Sequence, residues 1–266
     1  MVPLEKAVAM KRIVDFDRPP VAETALGVVF APLPGWSVLH FGLLWNRVRD
    51  LYPKTEVKAA AGEVELRLSP SENVDIPIRA LLLDKSGNQL LQVQRNAFIR
   101  NWRQTLETPE YEHYENLRPL FERDWNAFLD FLRSEKLQTP EPFQCEVTYI
   151  NHLVRGREWK TFEDASRIFR VWAGVDVGQL RTSQMISFMT AYDLPNKSGR
   201  LQAVVQPGIR RIDSNEIIQF ALTATIKPSG SSLPAILNAL DAGHIAVVTS
   251  FRDMTTPAMH SFWGIK

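Results

Sequence analysis

Leu90-Leu-Gln-Val-Gln-Arg-Asn-Ala-Phe-Ile-Arg-Asn-Trp-Arg103 is the stretch on which the reading of this chain turns. Its alternation puts Gln92 and Gln94 on one face, the period of two that marks a strand. A strand is expected from Leu90 to Phe98, passing into a cluster of Arg, Asn and aromatic residues that hinges into a long helix. Asn101, Trp102 and Arg103 are therefore expected to close a turn and pin helix to sheet. No nucleophile, metal cluster or phosphate loop accompanies them.

Working back from that stretch, Val21 to Ala31 reads as a strand with Leu26, Val28 and Phe30 on one face, broken by Pro32, Pro34 and Gly35. A helix is predicted from about Trp36 to Leu51, with Val38, Phe41, Leu44, Val48 and Leu51 at three- and four-residue spacing. Pro53 stops it. Gly42 lies inside it, where glycine costs roughly 1 kcal/mol relative to alanine, so Gly42 is expected to let the helix approach a strand closely. Strands are predicted at Val57 to Leu68 and Ile76 to Leu83, with Pro77 confining the second to an edge. Asp84-Lys-Ser-Gly-Asn88 between the last two strands has hairpin chemistry.

Working forward, Thr108, Pro109 and Glu110 form a helix start of cap, first-turn proline and dipole-matching acid. Tyr114, Leu117, Phe121, Trp125, Phe128 and Leu132 are its apolar stripe. The order then repeats. Phe143 to Leu153 reads as a strand, and Thr161 with Asp164 as a capping box for a short helix ending near Gly174. Strands follow at Ser183 to Tyr192, Arg200 to Val205 and Glu216 to Ile226. Ser231 or Ser232 caps a last long helix, which Pro257 kinks or follows with a final turn to Trp263-Gly264. The fold class expected is α+β: a tandem duplication of a strand-helix-three-strand-helix unit, residues 21–139 and 141–266, after an irregular lead-in over 1–20. Each half lays a long helix on an antiparallel sheet, and the two sheets pair edge to edge into one unit.

Composition narrows the function classes. A formal net charge of +1 argues against a general polyanion binder, which needs clustered Lys and Arg in excess. Cys145 is the only cysteine, so a reducing compartment fits best. No apolar run has the length of a signal peptide or a membrane span, so a cytoplasmic protein off the membrane is expected.

Standard catalytic devices are missing from the sequence: no phosphate-cradling or dinucleotide glycine motif, no metalloprotease pair, no cysteine pair for zinc. No cofactor and no metal are expected. The five histidines show no common ligand spacing. His244, on the apolar side of the last helix, is read as a buried histidine with one hydrogen-bond partner. Glu63 and Glu65 are read as a solvated strand face, and Pro228-Ser-Gly-Ser-Ser232 as a loop ending in a cap. Glu23 opens the first strand, within reach of Arg100 or Arg103. Gln92, Gln94 and Asn151 are either a solvated sheet face with a pinning Asn, or the lining of a polar groove between sheet and helix. The residues named for a ligand or partner are Glu23, His40, Gln92, Gln94, Asn101, Trp102, Arg103, Tyr149 and Asn151.

Several of these residues carry a resemblance. Pro19-Pro-Val-Ala-Glu23 leading to Phe30-Ala-Pro-Leu33, His40-Phe-Gly42 with Trp45 and Pro53, and Leu91-Gln-Val-Gln94 with Phe98 belong to the pattern. So do Asn101-Trp-Arg103, the Tyr114, Phe121 and Trp125 helix, Glu146-Val-Thr-Tyr-Ile-Asn151, and Phe251 with Trp263-Gly264. Over nearly its whole length the chain resembles a sporadically distributed family of uncharacterised bacterial proteins of about this size. The resemblance implies a bacterial or phage-associated origin and an accessory setting such as defence or toxin–antitoxin systems, and it assigns no activity.

The leading expectation is a non-enzymatic binding or interaction protein, taking a protein partner or a small ligand, with a homodimer compatible. The second is an enzyme using dispersed residues, Glu23, His40, Arg103 and Tyr149, provided the fold brings them within hydrogen-bond reach. The third is a nucleic-acid binder using Arg95, Phe98, Arg100 and Trp102, which requires exposed rings.

Overall fold

In the computed structural model, residues 13–59, 78–173 and 183–266 are described. The expectations for Glu63 and Glu65, for Pro77, for the far end of the Val57 to Leu68 strand and for a helix end near Gly174 lie outside them. In chain order the elements are β1 (Val21–Phe30), α1 (Val38–Val48), β2 (Lys54–Ala59), β3 (Ile78–Leu83), β4 (Gln89–Gln94), β5 (Ala97–Arg103) and α2 (Tyr114–Ser134). There follow β6 (Pro142–Val154), α3 (Ala165–Ile168), β7 (Phe188–Asp193), β8 (Gly199–Ile209), β9 (Glu216–Ile226), α4 (Leu233–Met254) and α5 (Pro257–Trp263). The strands form one nine-stranded sheet in the order β2-β3-β4-β5-β1-β6-β9-β8-β7, and every neighbour is antiparallel.

The stretch 90–103 is not one strand and a hinge but a hairpin. Gln94 pairs with Ala97 across a two-residue link, Arg95-Asn96, and Leu91 lies opposite Arg100. Neither link residue has a positive φ, so the Asn-Gly signature that announces a tight hairpin is absent. The link is held from outside instead. Its two carbonyls accept from the Phe30 and Leu33 amides at 3.0 and 3.1 Å as the chain leaves β1.

Alternation sorts the sheet into two faces. Leu26, Val28 and Phe30 of β1, Phe98 and Trp102 of β5, Val147 and Tyr149 of β6, and Phe220 and Leu222 of β9 share a cluster with the buried residues of all five helices. Glu23, Gln92, Asn101, Thr148, Thr223 and Gln202 lie on the opposite face, where Leu81, Leu83 and Leu90 make a small cluster of their own. The expected stripe of α2 is buried throughout, with the Phe98 and Trp125 rings 5.4 Å apart. The helix starts at Tyr114 rather than beside Thr108. The Thr108 amide and hydroxyl are taken by Thr105 at 3.1 and 2.7 Å, so a local turn uses the group expected to cap.

α1 is shorter than its stripe suggested: Leu44 and Val48 are buried, while Val38 and Leu51 are exposed. Gly42 permits no close approach, since a Cβ there would meet nothing within 4 Å. The close approach occurs at Gly243 of α4, where a Cβ would stand 2.9 Å from Val147 Cγ2 of β6. That contact seats α4 against β6 and β9. α4 has the length and hydropathy of a membrane span, 22 residues at 1.2, yet nine of its residues are buried in the fold. Its N-cap is Ser232, whose hydroxyl accepts from the Ala235 amide, and Pro257 opens α5 rather than kinking α4. Thr161 and Asp164 do form a capping box, over a single 3₁₀ turn that leads into the short α3.

The described part of the lead-in is a clasp. Residues 13–20 run back to the C-terminal end: Asp17 and Arg18 amides donate to Gly264 and Trp263 carbonyls at 2.9 and 3.0 Å. Phe16 packs edge-on against Phe251 and Trp263.

Candidate functional site

The polar residues singled out in the sequence fall into three places. On the face opposite the described helices, long side chains reach diagonally from strand to strand. Arg79 donates to Gln92 Oε1 at 3.1 Å, Gln92 Nε2 to Asn101 Oδ1 at 2.6 Å, and Asn101 Nδ2 to Glu23 Oε1 at 2.5 Å. The chain crosses β3, β4, β5 and β1. The Asn101 amide accepts through its oxygen and donates through its nitrogen, so this line of bonds ties strands together. Burial pushes the Glu23 carboxyl up from its usual range, against the pull of Asn101, Arg103, Arg79 and Lys58. Arg103 lies opposite Glu23 in the sheet and donates through Nε to the Gly87 carbonyl at 2.8 Å, bracing the turn between β3 and β4. Gln94 is buried on this same face. Gln92 and Gln94 therefore do not line a groove between the sheet and the described helices, because they sit on the opposite face.

On the helix side, Trp102 is 1% exposed and meets Tyr111 edge-on at 5.5 Å. Beside it the Arg100 guanidinium forms a buried ion pair with Asp124 at 3.0 Å. Asp124 also accepts from the Tyr52 hydroxyl at 2.6 Å. The third place is the start of α1, where the Ser37 amide donates to His40 Nδ1 at 2.9 Å and the imidazole stacks on Trp36. His40 is a helix cap. Glu23, His40, Arg103 and Tyr149 are thus not assembled: Tyr149 faces the helices, Glu23 and Arg103 face away, and His40 belongs to a separate element.

Tyr149 and Asn151 lead elsewhere. Both line a cleft of about 60 Å³ bounded by the lead-in, the start of β1, the residues entering α2, β6 and α4. A single water needs roughly 10–15 Å³ of such space, so several water-sized groups fit. Tyr111 donates to the Tyr149 hydroxyl at 3.0 Å, and Tyr149 meets His244 Nδ1 at 2.9 Å. The Tyr114 ring lies flat on the imidazole, with centroids 4.0 Å apart and planes within 3°. Its hydroxyl donates to Asp241 at 2.7 Å, which Arg118 grips with two nitrogens at 2.7 and 3.0 Å. Asn151 lies within β6 and donates to the Phe220 carbonyl of β9 at 3.0 Å, so it ties neighbouring strands rather than pinning a turn.

Burial lowers the His244 pKa to about 4, so the ring is neutral near neutral pH. Burial likewise holds the Tyr149 hydroxyl protonated far above its usual range. With Tyr111 donating to Tyr149, the Tyr149 proton goes to Nδ1 and the imidazole proton sits on Nε2. The three groups can also carry their protons in the reverse order, which leaves a lone pair on Nε2. In either order the imidazole is neutral, and His244 lines the cleft together with Phe16, Tyr111, Tyr149 and Phe251.

Sequence reasoning took His244, Tyr114 and Phe251 as core residues and passed over Phe16, Tyr111 and His113. The available signal was Tyr111-Glu-His113-Tyr114, an aromatic and imidazole run ahead of the helix stripe. Among the described residues no three His, Cys, Asp or Glu converge as metal ligands. No family model, no curated protein and no solved structure matches the chain.

Proposed function

We propose that the chain is a non-enzymatic binding protein and that the cleft between β1, β6, α2 and α4 takes its ligand. The carrying observation is the hydrogen-bonded line from Tyr111 through Tyr149 to a neutral His244, set in an aromatic-walled opening. Mostly apolar walls with a few convergent polar groups are what small-molecule sites share. The rival readings have less behind them: the dispersed acid/base set lies on opposite faces, and the Phe98 and Trp102 rings are buried away from any nucleic-acid base.

The wider proposal includes a cytoplasmic location and the bacterial accessory setting that the resemblance implies. It also includes descent by tandem duplication. Strand order supports that in part: outward from the central pair one flank reads β1, β5, β4, β3, β2 and the other β6, β9, β8, β7, so both run backward through the chain, but the first carries four strands after its opening strand where the expected unit had three.

The test is a fragment and metabolite screen by protein-observed NMR, with Tyr149→Phe and His244→Leu as controls. Hits should shift resonances of Tyr111, Tyr149 and His244 and weaken in both variants. A screen whose hits ignore these residues sinks the proposal.

A further inference from the structure

The two ends of the sheet are finished differently. β2 closes one end with Lys54, Glu56 and Lys58, and a 3.2 Å ion pair joins the last two. Charged side chains, lysine above all, keep an open edge from recruiting a further strand. β7 closes the other end with Phe188-Met-Thr-Ala-Tyr-Asp193, a run with one charge and no proline. Met189 in it is 66% exposed and Tyr192 45%. Six-residue runs of low charge without proline are the ones that pair with further strands.

The hydrogen-bond pattern says which backbone groups are left over. The Leu194 amide donates to the Gly199 carbonyl at 2.9 Å where β7 turns into β8. In the antiparallel register, Tyr192, Thr190 and Phe188 then bond to Leu201, Ala203 and Val205. Met189, Ala191 and Asp193 aim their N–H and C=O groups away from β8, and no described strand lies beyond them. Phe188, Thr190 and Tyr192 share the helix side of the sheet, where the Phe188 ring meets Phe169 at 5.6 Å and Trp172 at 6.1 Å. The Thr190 hydroxyl oxygen is buried and has no hydrogen-bond partner.

From these observations we propose that β7 pairs with β7 of a second copy of this chain, antiparallel across a two-fold axis at Thr190. Met189 and Ala191 of one copy then exchange backbone bonds with Ala191 and Met189 of the other. Ser187 meets Asp193, a hydroxyl opposite a carboxylate. On the helix side Thr190 faces its own copy, as threonines that bond each other across strands do, and Phe188 faces Tyr192 as an aromatic cross-strand pair. Moving the axis to Ala191 sets Asp193 against Met189 and parts the aromatic pair, so Thr190 is the better axis. A second copy fits because this edge meets each of its own demands. The contact is isologous and closes on itself, which gives a dimer rather than a fibre.

The test is sedimentation equilibrium of the intact chain over roughly 1–500 μM. One strand pair is a small interface, so a dissociation constant of about micromolar order is expected. Ala191→Pro removes an outward N–H that β8 does not use, where an edge strand tolerates proline, and Tyr192→Lys places a lysine on the edge. Each should weaken the dimer about tenfold or more and keep the parent's melting temperature in dilute solution. Thr190→Cys should lock the dimer under mild oxidation, and Val57→Cys on β2 should not. Cys145 is buried, so a cross-link reports the introduced thiol. A monomer throughout the range overturns the inference, whether or not β7 then takes a strand from another protein. A dimer indifferent to Tyr192→Lys, or one that Thr190→Cys cannot lock, overturns it as well.

Discussion

Arg100 and Asp124 are both almost wholly out of water, at 2% and 3% side-chain exposure, and each answers the other's charge. Breaking a buried pair from one side leaves an uncompensated ion, at about 3–5 kcal/mol. Asp124→Ala should lower the urea midpoint accordingly, and an unchanged midpoint would mean that the pair contributes little. Glu23 behaves oppositely. Its carboxyl is raised above the reference of 4.5 by burial, so its ionised form is disfavoured in the fold. The associated stability is present below that reference and is lost as pH rises through the folded value. Glu23→Gln keeps an acceptor for Asn101, so it should melt higher than the parent at pH 7 and lose that advantage in acid. His244 titrates in the other sense. Its folded value of about 4 lies below the reference of 6.5, so stability present above 6.5 declines as pH falls toward 4. That loss is on the order of 3 kcal/mol, and His244→Gln should flatten it. The burial behind the His244 shift was legible from its place on the apolar side of the last helix, whereas the Glu23 shift was not, because nothing along the chain announces that its strand end is buried.

At the scale of elements, Gly243 separates propensity from packing. Alanine is the better helix former by roughly 1 kcal/mol, yet a Cβ there would press on Val147 at 2.9 Å. Gly243→Ala should therefore destabilise, and adding Val147→Ala should recover part of the loss; a higher melting point for Gly243→Ala alone would refute the close seating of α4 on β6. Elements with strong periodicity were legible: β9 runs over the predicted residues, and the stripe of α2 is the one buried. Failures came where a tertiary contact replaced a local signal. The β4–β5 link lacks turn chemistry because Phe30 and Leu33 hold its carbonyls, and Thr108 is no cap because Thr105 holds it. Gly42 and Gly243 look alike in sequence, and only the sheet distinguishes them.

Across the molecule, the central β1–β6 pair joins two flanks whose described helices lie on one face, and residues 13–20 lock onto the end of α5. Phe16 belongs to both the clasp and the cleft. Phe16→Ala should cost about 3–5 kcal/mol as a truncated core aromatic and open the cleft wall, so stability and ligand binding should fall together. The site was poorly legible because its walls come from four separate segments, an irregular lead-in and three stretches that look like ordinary core when read alone. The most direct test of the binding cleft is chemical-shift mapping of the screen's hits on the intact protein. Perturbations centred on Tyr111, Tyr149 and His244, lost in Tyr149→Phe, are the predicted result. Perturbations centred on Gln92 and Asn101, with the cleft silent, would contradict it.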